Sequence, residues 1–265
     1  MNFKKNLNSK YNIVLMSINL IEGNNKLLVI LTQYKRNNLE SQLKSVYNQR
    51  VKPDIIVVFQ NEQHVSIEHL KEKYNFIHVK NSYNTKFFGR FTYCLNFDVE
   101  YCIVMDDDII PGENCFNNYL QQCKEYNAII GGNGRIAFNN KFKDLKYPQE
   151  LGIRNKALKV DFVGHLWCVK QEFIRTMLSI KPFTYDTGED MHLCFSNKLL
   201  NNIDSYCGKQ IKNEDMCDIS YNKLADDNHS SFKITPKELR KNVEDYFVSK
   251  YNYKFIDKIL LIYKI

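Results

Sequence analysis

Unbroken apolar runs occupy 27–32 (LLVILT), 55–59 (IIVVF) and 101–105 (YCIVM), with a shorter run at 76–80. Runs of this length mark strands buried on both faces. Between them, apolar positions recur at helical spacing. Leu39, Leu43, Val46 and Tyr47 form one such stripe over 37–47, and 67–74 and 87–97 carry others. Strand runs alternating with amphipathic helices predict an α/β fold, a three-layer sandwich around a mostly parallel sheet. Right-handed crossovers bring the C-terminal ends of these strands to one edge, where open sheets bind ligands.

Beyond Pro111 the rhythm loosens. Helices are expected at 112–126, 171–179, 190–200 and 236–250, the last with Pro236 in its first turn. Strands are expected at 128–130 and 160–169. Gly131-Gly-Asn-Gly134 does not fit G-x-G-x-x-G and reads as a close-approach loop. The polar stretch 138–157 reads as irregular, 205–231 has no clear period, and 255–265 is apolar enough to pack back onto the body.

Composition narrows the class. With 265 residues, 44% hydrophobic and 25% charged, the chain can bury a full core, which excludes bulk disorder, collagen and coiled coil. The net charge is +7. The excess is mostly lysine spread along the chain, whereas bidentate phosphate and base contacts favour arginine. A nucleic-acid partner is therefore not expected. Eight cysteines include no C-x-x-C pair, so buried free thiols are expected rather than a zinc ribbon. The apolar run 13–21 is short and broken by Ser17 and Asn19, so neither a signal peptide nor a spanning helix is expected. A cytoplasmic enzyme follows, in which the sequon Asn228-His229-Ser230 has no meaning.

Two acidic groups carry chemistry. Asp106-Asp107-Asp108 follows the buried run 101–105. Adjacent carboxylates at a strand end repel, and a hard divalent cation such as Mg²⁺ or Mn²⁺ resolves this with oxygen ligands. Thr187-Gly-Glu-Asp190 precedes an apolar helical run, which puts Glu189 and Asp190 near the positive end of a helix dipole. Either carboxylate is a candidate general base.

These motifs occur in order with Leu28-Val-Ile-Leu-Thr-Gln-Tyr-Lys-Arg36 and Ile55-Ile-Val-Val-Phe-Gln-Asn61. The set resembles a GT-A fold nucleotide-sugar glycosyltransferase over about residues 26–200. It is similar to the broad family 2 of inverting transferases and to the retaining exostosin catalytic domain. The resemblance implies a Rossmann-like GT-A domain over 1–265. Its parts would be a nucleotide-binding half (26–130), an acceptor-side half (131–235) and a C-terminal helical extension (236–265). It implies a nucleoside-diphosphate sugar donor, a UDP-sugar first among them, with Mn²⁺ or Mg²⁺, and a glycan or a protein- or lipid-linked acceptor.

On this resemblance Thr32, Tyr34 and Arg36 line the nucleotide pocket, and Gln60 and Asn61 sit near base and ribose. Asn84-Thr-Lys-Phe-Phe-Gly-Arg-Phe91 brings Arg90 and Lys86 to the diphosphate. Asp108 ligates the cation, Asp106 reaches ribose or metal, and Asp107 completes the motif. Asp190, with Glu189 beside it, is the base of an inverting enzyme. His229 is the best-placed further metal ligand, with His192 a distant second. Gly164, His165 and Trp167 form the acceptor wall, although Trp167 is equally open to a core role. A nucleotidyltransferase acting on sugar phosphates is the alternative, but residues 32–38 lack the glycine-rich phosphate loop usual there. A non-catalytic basic binding module is a further one.

Overall fold

The computed structural model describes residues 26–138, 141–144, 153–221, 223–224 and 235–256; side chains of 137–144 are not described. The run 13–21, the sequon, His229 and 257–265 lie outside the described residues. Strands are β1 (Leu27–Gln33), β2 (Ile55–Gln60), β3 (Ile77–Lys80), β4 (Tyr101–Met105), β5 (Ile129–Phe138), β6 (Lys141–Asp144), β7 (Leu158–Val160), β8 (Phe162–Lys170) and β9 (Ser205–Cys207). Helices are α1 (Leu39–Tyr47), α2 (Phe88–Tyr93), α3 (Cys115–Tyr126), α4 (Gln171–Ser179), α5 (Glu189–Asn201) and α6 (Lys237–Tyr251).

The strands form one sheet in the order β3-β2-β1-β4-β8-β5-β9-β7, with β6 paired to β5. β1, β2, β3, β4, β5 and β9 run one way, and β6, β7 and β8 run against them. The expected mostly parallel, Rossmann-like sheet is therefore present. The register levels Gln33 with Gln60 and Leu31 with Met105. The C-terminal ends of β1, β2 and β4 thus open onto one edge, and β8 reaches it from the opposite direction.

Each face of the sheet has its own core. One packs Leu27, Val29, Leu31, Ile103 and Met105 against α1 and α3 through Leu43, Val46, Phe116 and Tyr119. The other packs Leu28, Ile30, Cys102 and Val104 against α2, α4, α5 and α6 through Phe91, Phe173, Phe195 and Phe247. Strand residues alternate between the two cores because successive side chains point to opposite faces. All eight cysteines are buried as free thiols. No helix among the described residues is long and apolar enough to cross a membrane.

The structure departs from the sequence pattern in five places. The stretch 138–157, read as irregular, contributes β6. Segment 67–74 forms only a short 3-10 turn, Glu68–Glu72, of which Leu70 alone is buried. The helix expected over 87–97 splits into α2 and a 3-10 turn at Cys94–Asn96. The run 160–169 divides at Asp161, between β7 and β8, and the Asp161 carboxylate accepts a hydrogen bond from the Ile256 N–H at 2.9 Å. Gly131 to Gly134 is not a loop beside the site but part of β5, with a register shift between Gly131 and Asn133. The close approach is real but internal: a Cβ on Gly131 would meet Val163, and one on Gly132 would meet Cys217.

Candidate active site

The sheet edge gathers charge from five elements. β4 leads into Asp106, Asp107 and Asp108, and the turn after β1 supplies Arg36. Arg90 comes from α2, Glu189 and Asp190 open α5, and Arg240 reaches in from α6.

Arg90 is the hub. Its guanidinium pairs with Asp106, donates to Glu189 at 3.1 Å and reaches Thr32 Oγ1 at 3.2 Å. Thr32 in turn donates to the Met105 carbonyl at 2.9 Å. Arg90 is only 3% exposed, and its guanidinium lies 4.8 Å from the centre of the Trp167 ring. Burial works against its charge, but Asp106 and Glu189 outweigh this and raise its pKa. A buried charge survives only with such partners.

Arg36 makes a second, separate grouping. Its Nη1 contacts Asp107 and lies 3.2 Å from Asp108 Oδ2. Burial, with Asp108 and Asp106 nearby, pushes Asp107 up to about 7 against the pull of Arg36. Asp108 is also raised, by burial first and then by Asp106; His165 and Arg36 oppose this. The backbone of the motif is anchored independently. Gln42 donates to the Asp106 and Ile109 carbonyls at 2.7 and 3.0 Å, and the Asp106 N–H donates to the His165 carbonyl at 3.0 Å.

α5 starts at Gly188, whose φ of +78° places it in the left-handed region. A Cβ there would also meet Val243 of α6 at 2.9 Å, so glycine suits both the turn and the helix contact. Burial, with Asp190 adjacent, pushes Glu189 up to about 7, while Arg90 and Arg240 oppose the shift. Asp190 accepts from Arg240 at 2.7 Å. No sequence motif pointed to Arg240, because its partner lies fifty positions earlier.

Five expected residues take other roles. Arg90, expected at the diphosphate, is buried and spends its guanidinium on Asp106, Glu189 and Thr32, so it braces the site from below. Gln60 is fully buried and bonds Gln33, Val65 and His78, so it braces the strand ends instead of facing base or ribose. Asn61 spends its amide on Asn84, Thr85 and the Lys86 carbonyl, which shapes the loop that presents exposed Lys86. Trp167 is 2% exposed, and its indole N–H donates to the Val163 carbonyl at 2.8 Å. It cannot stack on a sugar; it packs against Arg90. His192 is 1% exposed, with Nε2 3.0 Å from the Met177 and Ile180 carbonyls, and burial lowers its pKa. It belongs to the core and not to a metal site.

The remaining expected residues stay near open space. Tyr34 is partly exposed and meets His64 edge to face at 5.0 Å. His165 is partly exposed in a left-handed conformation, and the position of a Cβ on Gly164 is open.

The fold has solved counterparts. It is similar to that of S. aureus TarS, a glycosyltransferase. One TarS structure aligns with a TM-score of 0.50 and 14% identity, covering 70% of this chain and 37% of TarS. A second, of TarS 1–349, gives 0.50 and 15%, covering 69% of this chain and 60% of that one. This chain thus spans less than two thirds of either TarS chain. At such identity the likeness establishes a GT-A-type fold and nothing finer. No protein-family model and no curated protein matches the sequence.

The carboxylates suit a hard divalent cation. Among the described residues no group of three or more His, Cys, Asp or Glu side chains is gathered as a metal set. A cation shared with a diphosphate needs only one or two carboxylates. Asp108 and Asp106 supply oxygen donors, and both retain some exposure at the edge.

Proposed function

We propose that the chain is a metal-dependent glycosyltransferase that moves a sugar from a nucleoside diphosphate, a UDP-sugar first among candidates, to an acceptor hydroxyl with inversion. The observation that supports this most is the bridge through Arg90. One buried guanidinium ties a carboxylate of the β4 edge to a carboxylate at the start of α5. Donor-side and acceptor-side acids are thereby held in one rigid frame.

Asp108 and Asp106 would hold Mn²⁺ or Mg²⁺, which supplies Lewis-acid neutralisation of the leaving diphosphate. The protein's own cations, Arg36 and exposed Lys86, would bind diphosphate oxygens and stabilise charge growing there. Tyr34 lies at the end of β1 as a flat surface for the base. Asp190, oriented by Arg240, would take the acceptor proton. Glu189 is less suited, because its partner Arg90 is buried and shared with Asp106, whereas Asp190 and Arg240 both lie nearer the surface. Gly164 and His165 border the acceptor side. The acceptor would be a glycan or a protein- or lipid-linked hydroxyl. A retaining reaction, with the leaving phosphate as base, is the alternative, and Asp190 separates the two. Loss of Asp190 removes catalysis only in the inverting case.

The test is release of nucleoside diphosphate from UDP-, GDP- and dTDP-sugars with Mn²⁺. Wild-type chain should turn over at least one donor, and Asp108→Ala should lose about 100-fold or more. Equal turnover by Asp108→Ala, or no turnover of any donor, would overturn the proposal.

A further inference from the structure

Arg36 and Arg90 both pair with the Asp106–Asp108 motif, but only Arg36 contacts Asp107 and Asp108. Its Nη1 lies against both carboxylates. A divalent cation held by Asp108 would carry its charge into this same space. Two cationic centres cannot both occupy it without strong repulsion.

We infer that Arg36 is a built-in counter-ion that competes with the divalent cation for Asp108, and that a nucleoside diphosphate relieves the competition by drawing Arg36 onto its phosphates. This rests on the proposed metal-dependent function and adds a binding order to it. The cation alone binds weakly, and cation and diphosphate bind together tightly.

The local backbone permits the move. Arg36 lies outside β1, which ends at Gln33, and follows Lys35 at a φ of +61° in a turn closed by the Arg36 N–H on the Tyr34 carbonyl. Its carboxylate partners are held without it. Gln42, Asn38 and the His165 carbonyl fix the backbone at Asp106, Asp107 and Ile109. The motif can therefore keep its shape when Arg36 leaves. Guanidinium also suits the destination, because its planar fork matches phosphate oxygens.

The consequence is a reciprocal coupling between cation and nucleotide. It is measured by Mn²⁺ titration followed by electron paramagnetic resonance, with and without UDP, in wild type and in Arg36→Gln. Wild type should bind Mn²⁺ weakly alone and about tenfold or more tightly with UDP. Arg36→Gln should bind Mn²⁺ tightly without UDP and gain little from it. The melting temperature of Arg36→Gln should also rise more with Mn²⁺ alone than that of wild type. Arg36→Lys, which keeps the charge, should retain the weak binding of Mn²⁺ alone and controls for misfolding.

Equal Mn²⁺ affinity in wild type and Arg36→Gln overturns the counter-ion role while leaving metal dependence standing. Absence of Mn²⁺ binding by both proteins, with and without UDP, overturns both.

Discussion

Arg36 and Arg90 meet the same acidic motif and teach opposite lessons. Arg90 is built into the core. It lies on α2, stacks over Trp167 and Phe91, and bonds Asp106, Glu189 and Thr32 from two nitrogens. Arg36 lies on the turn after β1, and its Nη1 meets Asp107 and Asp108. The first has the surroundings of a strut and the second those of an exchangeable ion. Both are short of solvent, so burial alone does not separate them. What separates them is position: Arg90 sits on a helix among core rings, and Arg36 on a turn at the sheet edge.

The contrast is broken most sharply by removing the strut. Arg90→Ala leaves Asp106 and Glu189 facing one another without a cation and should cost about 3–5 kcal/mol of stability. Urea denaturation measures this, and a loss no larger than that of Arg36→Gln would erase the distinction. Arg36→Gln should cost less, about 1–2 kcal/mol, because Arg36 lies on a turn at the sheet edge and not among the core rings that surround Arg90.

Function gives a second comparison, between the two acids of α5. Asp190→Asn should lower transfer by about 100-fold or more while leaving donor affinity intact. Glu189→Gln should act on the frame first. Glu189 keeps its proton up to about 7 in the fold, against an ordinary value of 4.5. Between these values the folded chain binds more protons than the unfolded one, so stability falls as pH rises from 4.5 to 7. Glu189→Gln should flatten that slope by on the order of 1 kcal/mol, read from denaturation midpoints across the same range. An unchanged slope would place the raised group elsewhere.

Much of the fold was legible in the sequence because local chemistry set it. The run 101–105 is β4 residue for residue, and 171–179 is α4. A continuous apolar run has few alternatives to a central strand. The side chains around the site were harder to assign. Trp167 and His192 looked like candidate site residues by type, yet each faces the core, where its polar nitrogen finds backbone carbonyls. Gln60 and Asn61 stand at the expected strand end, but neighbouring loops claim their amides. Arg240 carried no motif at all. Its role depends on α6 folding back against α5, a contact that periodicity does not encode. Gly131 to Gly134 misled in a different way: three glycines suggest a loop, but here they allow β5 to pass close to Val163 and Cys217.

On the proposed function, the acids that follow β4 receive a cation together with a nucleotide sugar. Thermal unfolding with UDP-, GDP- and dTDP-sugars, with and without Mn²⁺, tests it most directly, because ligands that bind the native state raise the melting temperature. Wild type should show a shift that requires both nucleotide sugar and Mn²⁺, and Asp108→Ala should abolish it. An absence of any metal-dependent shift, or an equal shift in Asp108→Ala, would contradict the account.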